Sequence, residues 1–201
     1  MSMTIENLPE KYQTLWAECL PLLKLGRPGD DEHAAETVKL VLDYRGRLEF
    51  DADVLIPVAM LHDIGHSAIL PQHFKYITGQ NKLVNGKLVH MLAGAKIAHD
   101  LLHKIGYDSE KAKEIVEIIA MHDTDQLKIE DWKSWYETQN KKVFHDLDAL
   151  DRYTEKRLRS MVDSGMYDMD EILKELSRLL DNFIFPEVRK KAEENLNKIS
   201  L

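Results

Sequence analysis

The sequence predicts an all-α fold, and three observations support this prediction. Apolar residues recur with a helical period through most of the chain, and no alternation of period two extends beyond about five residues. Helix stop and start signals separate the periodic segments: "LGRPGDD" combines glycine, proline and cap-forming aspartates, and "IGYDSEK" offers Gly106 as a stop. The 201 residues, 44% of them hydrophobic, are enough for one compact core. We therefore predict a single-domain helical bundle over residues 1–201.

Eight helices are predicted along the chain, and one long segment between them lacks a helical period. This segment, 67–87, holds one proline and two glycines and is longer than a usual connection between packed helices. We interpret it as a lid that is less ordered than the helices around it. Near the carboxyl end, Pro186 begins a helix whose apolar stripe predicts packing on the bundle. The predicted helices span 6–24, 31–46, 52–63, 88–105, 108–122, 138–163, 168–181 and 186–200.

Composition and charge argue against several classes of protein. The net charge is −8 with no block of lysine or arginine, so we expect no nucleic-acid polymer as a partner. No apolar run approaches the roughly 20 residues of a membrane span, so we expect no membrane partner either. The amino terminus lacks the features of a signal peptide, and Cys19, as the only cysteine, has no intrachain disulfide partner. These features predict a cytoplasmic protein and leave its oligomeric state open.

Five predicted helices place a histidine or an aspartate on the apolar stripe that faces the core. His33 shares its stripe with Thr37 and Val41, and His90 begins a stripe that continues through Ile97. The helices 52–63 and 108–122 show the same pattern at their ends, and in 138–163 Asp148 lies one turn after Phe144. The inward-facing polar residues are His33, His62, Asp63, His90, His122 and Asp148.

Six buried imidazoles and carboxylates favour a metal site. A single inward histidine is more often a core residue that is hydrogen-bonded to a backbone carbonyl. Six such groups would each need compensation for the loss of water, whereas one or two cations would satisfy all of them together. Nitrogen and oxygen ligands without a thiolate suit iron, manganese, cobalt, nickel or zinc better than calcium.

In their order along the chain, these residues resemble the H…HD…H…H…D signature of the HD-domain metal-dependent phosphohydrolase superfamily. The first histidine is His33, "HD" stands at 62 and 63, and the final aspartate is Asp148 in "HDLDALDRY". The segment "HMLAGAKI", which begins at His90, is similar to the H-x-x-x-G-A pattern of dinuclear branches. The resemblance covers about residues 31–155 and implies an HD-type helical bundle built around the metal site.

The resemblance also implies two divalent transition metal ions, with Asp63 as the residue that bridges them and is essential for catalysis. The implied ligand sets are His33, His62, Asp63 and Asp148 for one ion, and Asp63, His90 and His122 for the other.

Two branches of this superfamily do not match the sequence. The cyclic-dinucleotide phosphodiesterase branch carries a double histidine and a Gly-Tyr-Pro motif, whereas this chain has "AMHDTDQL". The alarmone-hydrolase branch usually follows its "HD" with an acidic pair, which "HDIGHS" lacks. Many dinuclear relatives, including diiron oxygenases, have a lysine or histidine three residues after the "HD" aspartate, and His66 matches that place.

Two further residues are candidates for contact with substrate. His66 lies in the first turn beyond Asp63, where its imidazole could bind a substrate oxyanion or donate a proton to the leaving oxygen. The alternative is a histidine stabilised by the negative end of the preceding helix. Arg152, one turn after Asp148, could bind a substrate anion, and a surface ion pair accounts for it equally well.

Three functions are compatible with these residues. The resemblance favours a metal-dependent phosphohydrolase that acts on a small phosphorylated metabolite, such as a nucleotide, through a metal-activated hydroxide. A diiron oxygenase on the same ligands is the first alternative. A regulatory module that binds metal or nucleotide without turnover is the second, because a fold alone does not choose among activities.

Overall fold

The structure is a computed structural model that describes residues 5–78, 82–127, 129–163 and 168–199. Over these ranges the fold is all-α, as predicted, with no strand beyond an isolated bridge between Arg45 and Leu48. Short 3₁₀ turns connect the helices. The ten α-helices of the described residues are α1 (Glu10–Leu23), α2 (Asp30–Tyr44), α3 (Ala52–Leu61), α4 (Phe74–Ile77), α5 (Gly86–Lys104), α6 (Ser109–Ile119), α7 (Gln139–Asp151), α8 (Glu155–Asp163), α9 (Met169–Leu179) and α10 (Pro186–Ile199).

Helix α3 lies at the centre of the bundle. Every residue from Val54 to Leu61 is buried, and the helix packs against α1, α2, α6 and α7. A helix that is apolar on all sides is stable only when neighbours cover each of them. The Asp51 side chain caps its first turn by accepting a hydrogen bond from the Asp53 amide (2.8 Å). The carboxyl end of α3 therefore places the next two residues, His62 and Asp63, in the middle of the fold.

One predicted helix, 138–163, is wrong because the structure divides it into two. Helix α7 ends at Asp151, and the Thr154 amide donates to the Asp151 carbonyl in the turn that follows (3.0 Å). The Thr154 hydroxyl then accepts a hydrogen bond from the Arg157 amide (3.3 Å), which is the arrangement of a helix N-cap. A threonine that caps a new helix explains the break, since this part of the sequence contains neither proline nor glycine.

The segment predicted as a lid contains short helical pieces. A 3₁₀ turn covers Ile64–Ala68, another covers Pro71–His73, and α4 follows directly. The carbonyl of Tyr76 accepts hydrogen bonds from the amides of Leu83 and Val84 (2.8 and 3.1 Å), so the chain returns beside α4 before α5 begins. Residues 79–81 lie outside the described part. That this segment moves as a lid stays a prediction.

Helix α10 packs on α7, and α9 packs on α10. The buried carboxylate of Asp146 accepts hydrogen bonds from the amides of Ile184 and Phe185 (3.0 and 2.7 Å), which fixes the start of α10. Val188 and Ala192 are fully buried, as the apolar stripe of this helix predicts. Helices α9 and α10 thus extend the core around the metal-site region.

No single helix in the described ranges is long and apolar enough to cross a membrane. The adjoining stretches Ala52–Ala68 and Pro71–Ile77 meet that test of length and composition only as a pair, with a bend of 73° between them.

Candidate metal centre

The six predicted ligands come together in one buried region between five helices. His62 directly follows α3, and Asp63 lies between α3 and the turn Ile64–Ala68. None of the six exposes more than 7% of its surface. The remaining four residues lie in or next to other helices: His33 in α2, His90 in α5, His122 after α6 and Asp148 in α7.

The potential metal ligands form two groups, which we call donor groups because each side chain can donate an electron pair to a metal ion. The first donor group contains His33, His62 and Asp148. The Nε2 atoms of the two imidazoles lie 3.0 Å apart, and His33 Nε2 lies 3.0 Å from Asp148 Oδ1. His62 Nε2 lies 3.3 Å from the same oxygen. Three potential ligand atoms therefore face one point.

The second group contains His90, His122 and two carboxylates. The Nε2 atoms of His90 and His122 are 3.3 Å apart, and each lies 3.7 Å from Asp63 Oδ1. His90 Nε2 is also 3.5 Å from Asp123 Oδ2, so Asp123 adds an oxygen donor that the sequence analysis missed. Its position directly after His122 repeats the "HD" pair and was the available signal.

The carboxylate of Asp63 faces both groups, one oxygen to each. Its Oδ2 atom lies 3.7 Å from His62 Nε2 and 3.9 Å from His33 Nε2. Its Oδ1 atom faces His90 and His122 on the other side. A carboxylate in this position can contribute one oxygen to each of two cations.

Backbone and carboxylate acceptors hold three of the imidazole rings with Nε2 toward the centre. His62 Nδ1 lies 3.1 Å from the Ala59 carbonyl, and His122 Nδ1 lies 2.8 Å from the Ile119 carbonyl. Since a carbonyl only accepts, both Nδ1 atoms carry the proton and both Nε2 atoms keep a lone pair when the ring is neutral. His33 Nδ1 points to the Asp151 carboxylate at 2.7 Å. Such outer hydrogen bonds are typical of metal-binding histidines.

The spacing and chemistry of the donors fit transition metal ions. Metal–ligand bonds of about 2.0–2.2 Å separate neighbouring ligand atoms by about 3.0–3.5 Å, depending on coordination geometry. The separations of 3.0–3.3 Å within the first group match this range. Moreover, His90 Nδ1 and His66 Nε2 are buried with no hydrogen-bond partner in the described structure. Buried polar atoms without partners are uncommon away from functional sites.

Burial and the neighbouring charged groups shift the pKa values of three of these histidines in different directions. Burial opposes protonation of His33, but its hydrogen bonds to Asp148 and Asp151 raise its pKa to about 10. For His122, burial is likewise outweighed by the interaction with the Asp63 carboxylate 3.7 Å away and by the charge of Asp123, which raise its pKa to about 9. Burial and the neighbouring His122 instead lower the pKa of His90 to about 3. Metal cations would replace the protons on the first two rings.

Arg27 is a site residue that the sequence analysis missed. Its Nη2 atom donates to Asp63 Oδ2 at 2.7 Å, and its Nε atom donates to Asp30 Oδ1 at 3.1 Å. The arginine side chain is still 50% exposed, so it lies at the mouth of the site rather than in its interior. Arg27 comes from the loop between α1 and α2, where no periodic pattern could indicate its direction.

Two further cations border the second donor group. Lys87 Nζ lies 3.0 Å from Asp123 Oδ2. Arg152 Nη2 lies 3.5 Å from Asp123 Oδ1 and 3.6 Å from Asp148 Oδ2. Because its carboxylate partners belong to the donor groups, Arg152 lies at the centre and not in an isolated surface ion pair.

His66 also lies within the second group. Its ring stacks on that of His90, with centroids 4.2 Å apart, and its Nε2 atom is 3.5 Å from Asp63 Oδ1. The turn Ile64–Ala68 positions this ring, as expected for a residue that faces the same cavity as Asp63.

Comparison with known proteins identifies the family. The family model described as HD domain matches residues 30–156, which is more than half of the chain. This chain belongs to the HD domain family. The resemblance found in the sequence is thereby confirmed.

The HD domain of this chain includes all six predicted ligands as well as His66 and Arg152, whereas Arg27 precedes the matched residues. A solved structure from an uncultured Thermotogales bacterium, named a "predicted HD superfamily hydrolase", is 20% identical. The structural alignment of the two proteins covers 92% of this chain and 86% of the Thermotogales chain, with a TM-score of 0.57. This similarity supports the HD-type helical fold. No curated protein shows significant sequence similarity to the chain.

Proposed function

We propose that this HD domain protein is a metal-dependent phosphohydrolase that acts on a small phosphate ester or anhydride, such as a nucleotide. The observation that supports this most strongly is the position of Asp63, whose two oxygens face two separate donor groups. Two cations that share one carboxylate lie close enough to contact the same phosphoryl group.

In this proposal, the two donor groups hold divalent ions of iron, manganese, cobalt, nickel or zinc. When bound, the ions supply Lewis acidity, which activates water and polarises the phosphoryl group. The ligands of the first ion are His33, His62, Asp63 and Asp148. Those of the second are Asp63, His90 and His122, with Asp123 as a further oxygen donor beside His90.

Arg27 and Arg152 bind the phosphate of the substrate in this proposal. In the structure the Arg27 guanidinium donates to Asp63, a contact that cations at this carboxylate would disfavour by charge repulsion. The guanidinium is half exposed and can turn toward an incoming phosphate, for which its planar donors are well suited. Arg152 faces the same centre from α7 and holds a second phosphate oxygen.

His66 donates a proton to the leaving oxygen. Its Nε2 atom is buried beside Asp63 and has no hydrogen-bond partner within the described residues, so it is available to a substrate. Direct ligation of a metal is the other role that this position allows. The two roles differ in metal content after His66→Ala: a proton donor leaves the content unchanged, whereas a ligand reduces it.

The experiment that tests the proposal is an anaerobic metal-replacement assay. Protein freed of metal is loaded with Mn²⁺ or Co²⁺ and assayed for phosphate release from a panel of nucleotides and phosphate esters. We expect turnover without oxygen, loss of activity in Asp63→Ala and full activity in His99→Ala, whose side chain is 65% exposed on α5. Arg27→Gln should raise KM about tenfold at unchanged metal content, since one charge-assisted contact is lost.

A diiron oxygenase is the second candidate, because His66 lies three residues after Asp63 and the donor set contains no thiolate. Activity that requires both iron and dioxygen would support it and contradict the hydrolase. If metal-loaded protein shows neither phosphate release nor an activity that requires iron and dioxygen, a binding module without turnover is the better description.

A further inference from the structure

Residues 64–99 differ in charge from the rest of the protein. They include four lysines and no aspartate or glutamate, whereas all 35 acidic residues of the chain lie elsewhere. The remaining residues of the chain hold 23 lysines and arginines against 35 aspartates and glutamates and are therefore strongly acidic. Lys75 and Lys82 are exposed and form no ion pair with any described residue. The other two lysines, Lys87 and Lys96, pair with Asp123 and Asp100, so Lys75 and Lys82 carry the unpaired positive charge of this stretch.

The same stretch holds most of the exposed apolar side chains. Of the nine large hydrophobic residues that are exposed in the described structure, seven lie between Leu70 and Leu92. Phe74 is 49% exposed, Tyr76 43% and Leu83 76%. Single exposed apolar residues are common, but a cluster of this kind indicates an interaction site. We call the exposed side chains of the described residues 70–78 and 82–92 the apolar cationic surface.

Local contacts bring the parts of this surface together. Hydrogen bonds from the Leu83 and Val84 amides to the Tyr76 carbonyl place these residues beside α4. Gly86 lies against Ile77, so the first turn of α5 is adjacent as well. On α5, Leu88 and Leu92 are one turn apart and exposed, on the side away from the buried His90. Lys75 extends over the ring of Tyr76, with Nζ 4.8 Å from the ring centroid.

We propose that the apolar cationic surface binds the interface of an anionic lipid bilayer. Aromatic and aliphatic side chains at the headgroup boundary, combined with lysines that attract anionic lipids, are the chemistry of interfacial binding. A second copy of this chain is a less suitable partner. A two-fold interface would bring the lysines of one chain close to those of the other, and the like charges would repel.

Such binding is peripheral and differs from a membrane span. The absence of a spanning segment in the sequence, from which we expect no membrane partner, concerns insertion across a bilayer. A surface assembled from separate helices can contact a bilayer without such a segment. Two residues of the 64–99 stretch, His66 and Lys87, border the metal centre. The surface does not depend on metal or on turnover, so this proposal stands or falls independently of the proposed function.

Vesicle sedimentation with a matched pair of variants tests the proposal. The dipeptide Lys-Leu occurs at 82–83 within the surface and at 24–25 outside it, and Leu83 and Leu25 are similarly exposed, at 76% and 71%. The double variants are Lys82→Glu with Leu83→Ser, and Lys24→Glu with Leu25→Ser. Each is mixed with vesicles of equimolar phosphatidylglycerol and phosphatidylcholine, and with vesicles of phosphatidylcholine alone. Circular dichroism verifies that both variants are folded.

We expect the parent protein to sediment with the anionic vesicles and to remain in solution with the neutral ones. The variant at 82–83 should bind anionic vesicles at least about tenfold more weakly, whereas the variant at 24–25 should bind like the parent. Binding should also decrease as salt rises. Absence of binding to anionic vesicles, or equal loss in both variants, would overturn the proposal. Self-association that is abolished only at 82–83, without vesicle binding, would overturn it in favour of a contact between copies.

Discussion

The backbones of Gly65 and Gly94 meet without intervening side chains where the turn Ile64–Ala68 packs on α5. A Cβ atom on Gly65 would lie 2.5 Å from the Gly94 amide nitrogen and 1.9 Å from the His90 carbonyl oxygen. A Cβ on Gly94 would lie 3.3 Å from the Gly65 amide nitrogen. This close approach explains why glycine follows His90 by four residues, and it sets the distance from His90 to Asp63.

Replacing Gly65 with alanine should therefore damage both stability and the second donor group. The methyl group meets backbone atoms that cannot rotate away, so the turn and α5 must separate at a cost of about 3 kcal/mol in the free energy of unfolding. Urea denaturation measures this cost. The matched control is Gly86→Ala, whose Cβ would lie 3.5 Å from Ile77 Cβ, an ordinary contact. Equal stability of the two variants would contradict the prediction.

His90→Ala should remove mainly one of two metal ions. The second donor group loses a central nitrogen, while His33, His62 and Asp148 remain in place for the first ion. Elemental analysis after anaerobic purification should give close to two ions per chain for the parent protein and close to one for the variant. His99→Ala, on the exposed side of the same helix, is the control. Loss of both ions, or of neither, would show that the two groups do not act as separate sites.

Asp151→Asn should weaken metal binding although this residue is not a proposed ligand. Its carboxylate lies 2.7 Å from His33 Nδ1 and orients the ring toward Asp148. Loss of the negative charge makes the His33 imidazole a weaker electron-pair donor to the metal. We therefore expect about tenfold weaker binding of the first ion. Competition with a chromophoric chelator measures the affinity. Asp181→Asn, at a carboxylate that is 81% exposed, should leave the affinity unchanged.

Asp53→Asn should reduce stability more at neutral pH than in acid. Hydrogen bonds from Lys11 and Tyr12, together with Lys111 at 2.9 Å, hold the pKa of Asp53 well below its usual value. A carboxyl whose pKa is lower in the folded state contributes its full stabilisation above its unfolded pKa of about 3.9. This contribution declines as the pH falls below that value and is lost as the pH falls through the folded pKa. The side chain is 37% exposed, so the loss at pH 7 should be about 1 kcal/mol or less.

Urea denaturation at pH 7 and at pH 3 measures this effect. The difference in unfolding free energy between the parent protein and Asp53→Asn should be larger at pH 7. Asp43→Asn, in an exposed position on α2, should show no such dependence. A difference that grows toward acid would contradict the prediction.

The sequence by itself determined the all-α class and the inward direction of the ligands. The helical period fixes the angle at which each side chain leaves its helix axis, so it places His33 and His90 on buried faces before any packing is known. The order of these residues along the chain also determined the resemblance to the HD family. Within the region predicted as one helix over 138–163, however, the period gave no sign of the cap at Thr154, because the apolar stripe continues on both sides of it.

The family resemblance implied two ligand sets, and only the tertiary structure showed the distances between their atoms and the presence of Asp123 and Arg27 beside them. Periodicity gives directions about each axis but no distances between axes, and those distances depend on contacts such as that of Gly65 with Gly94. The crossing of α3 with its neighbours turns one Asp63 oxygen toward His62 and the other toward His90. Arg27 enters the site from a loop, where no repeating pattern constrains a side chain, and only the folded chain brings its guanidinium to Asp63.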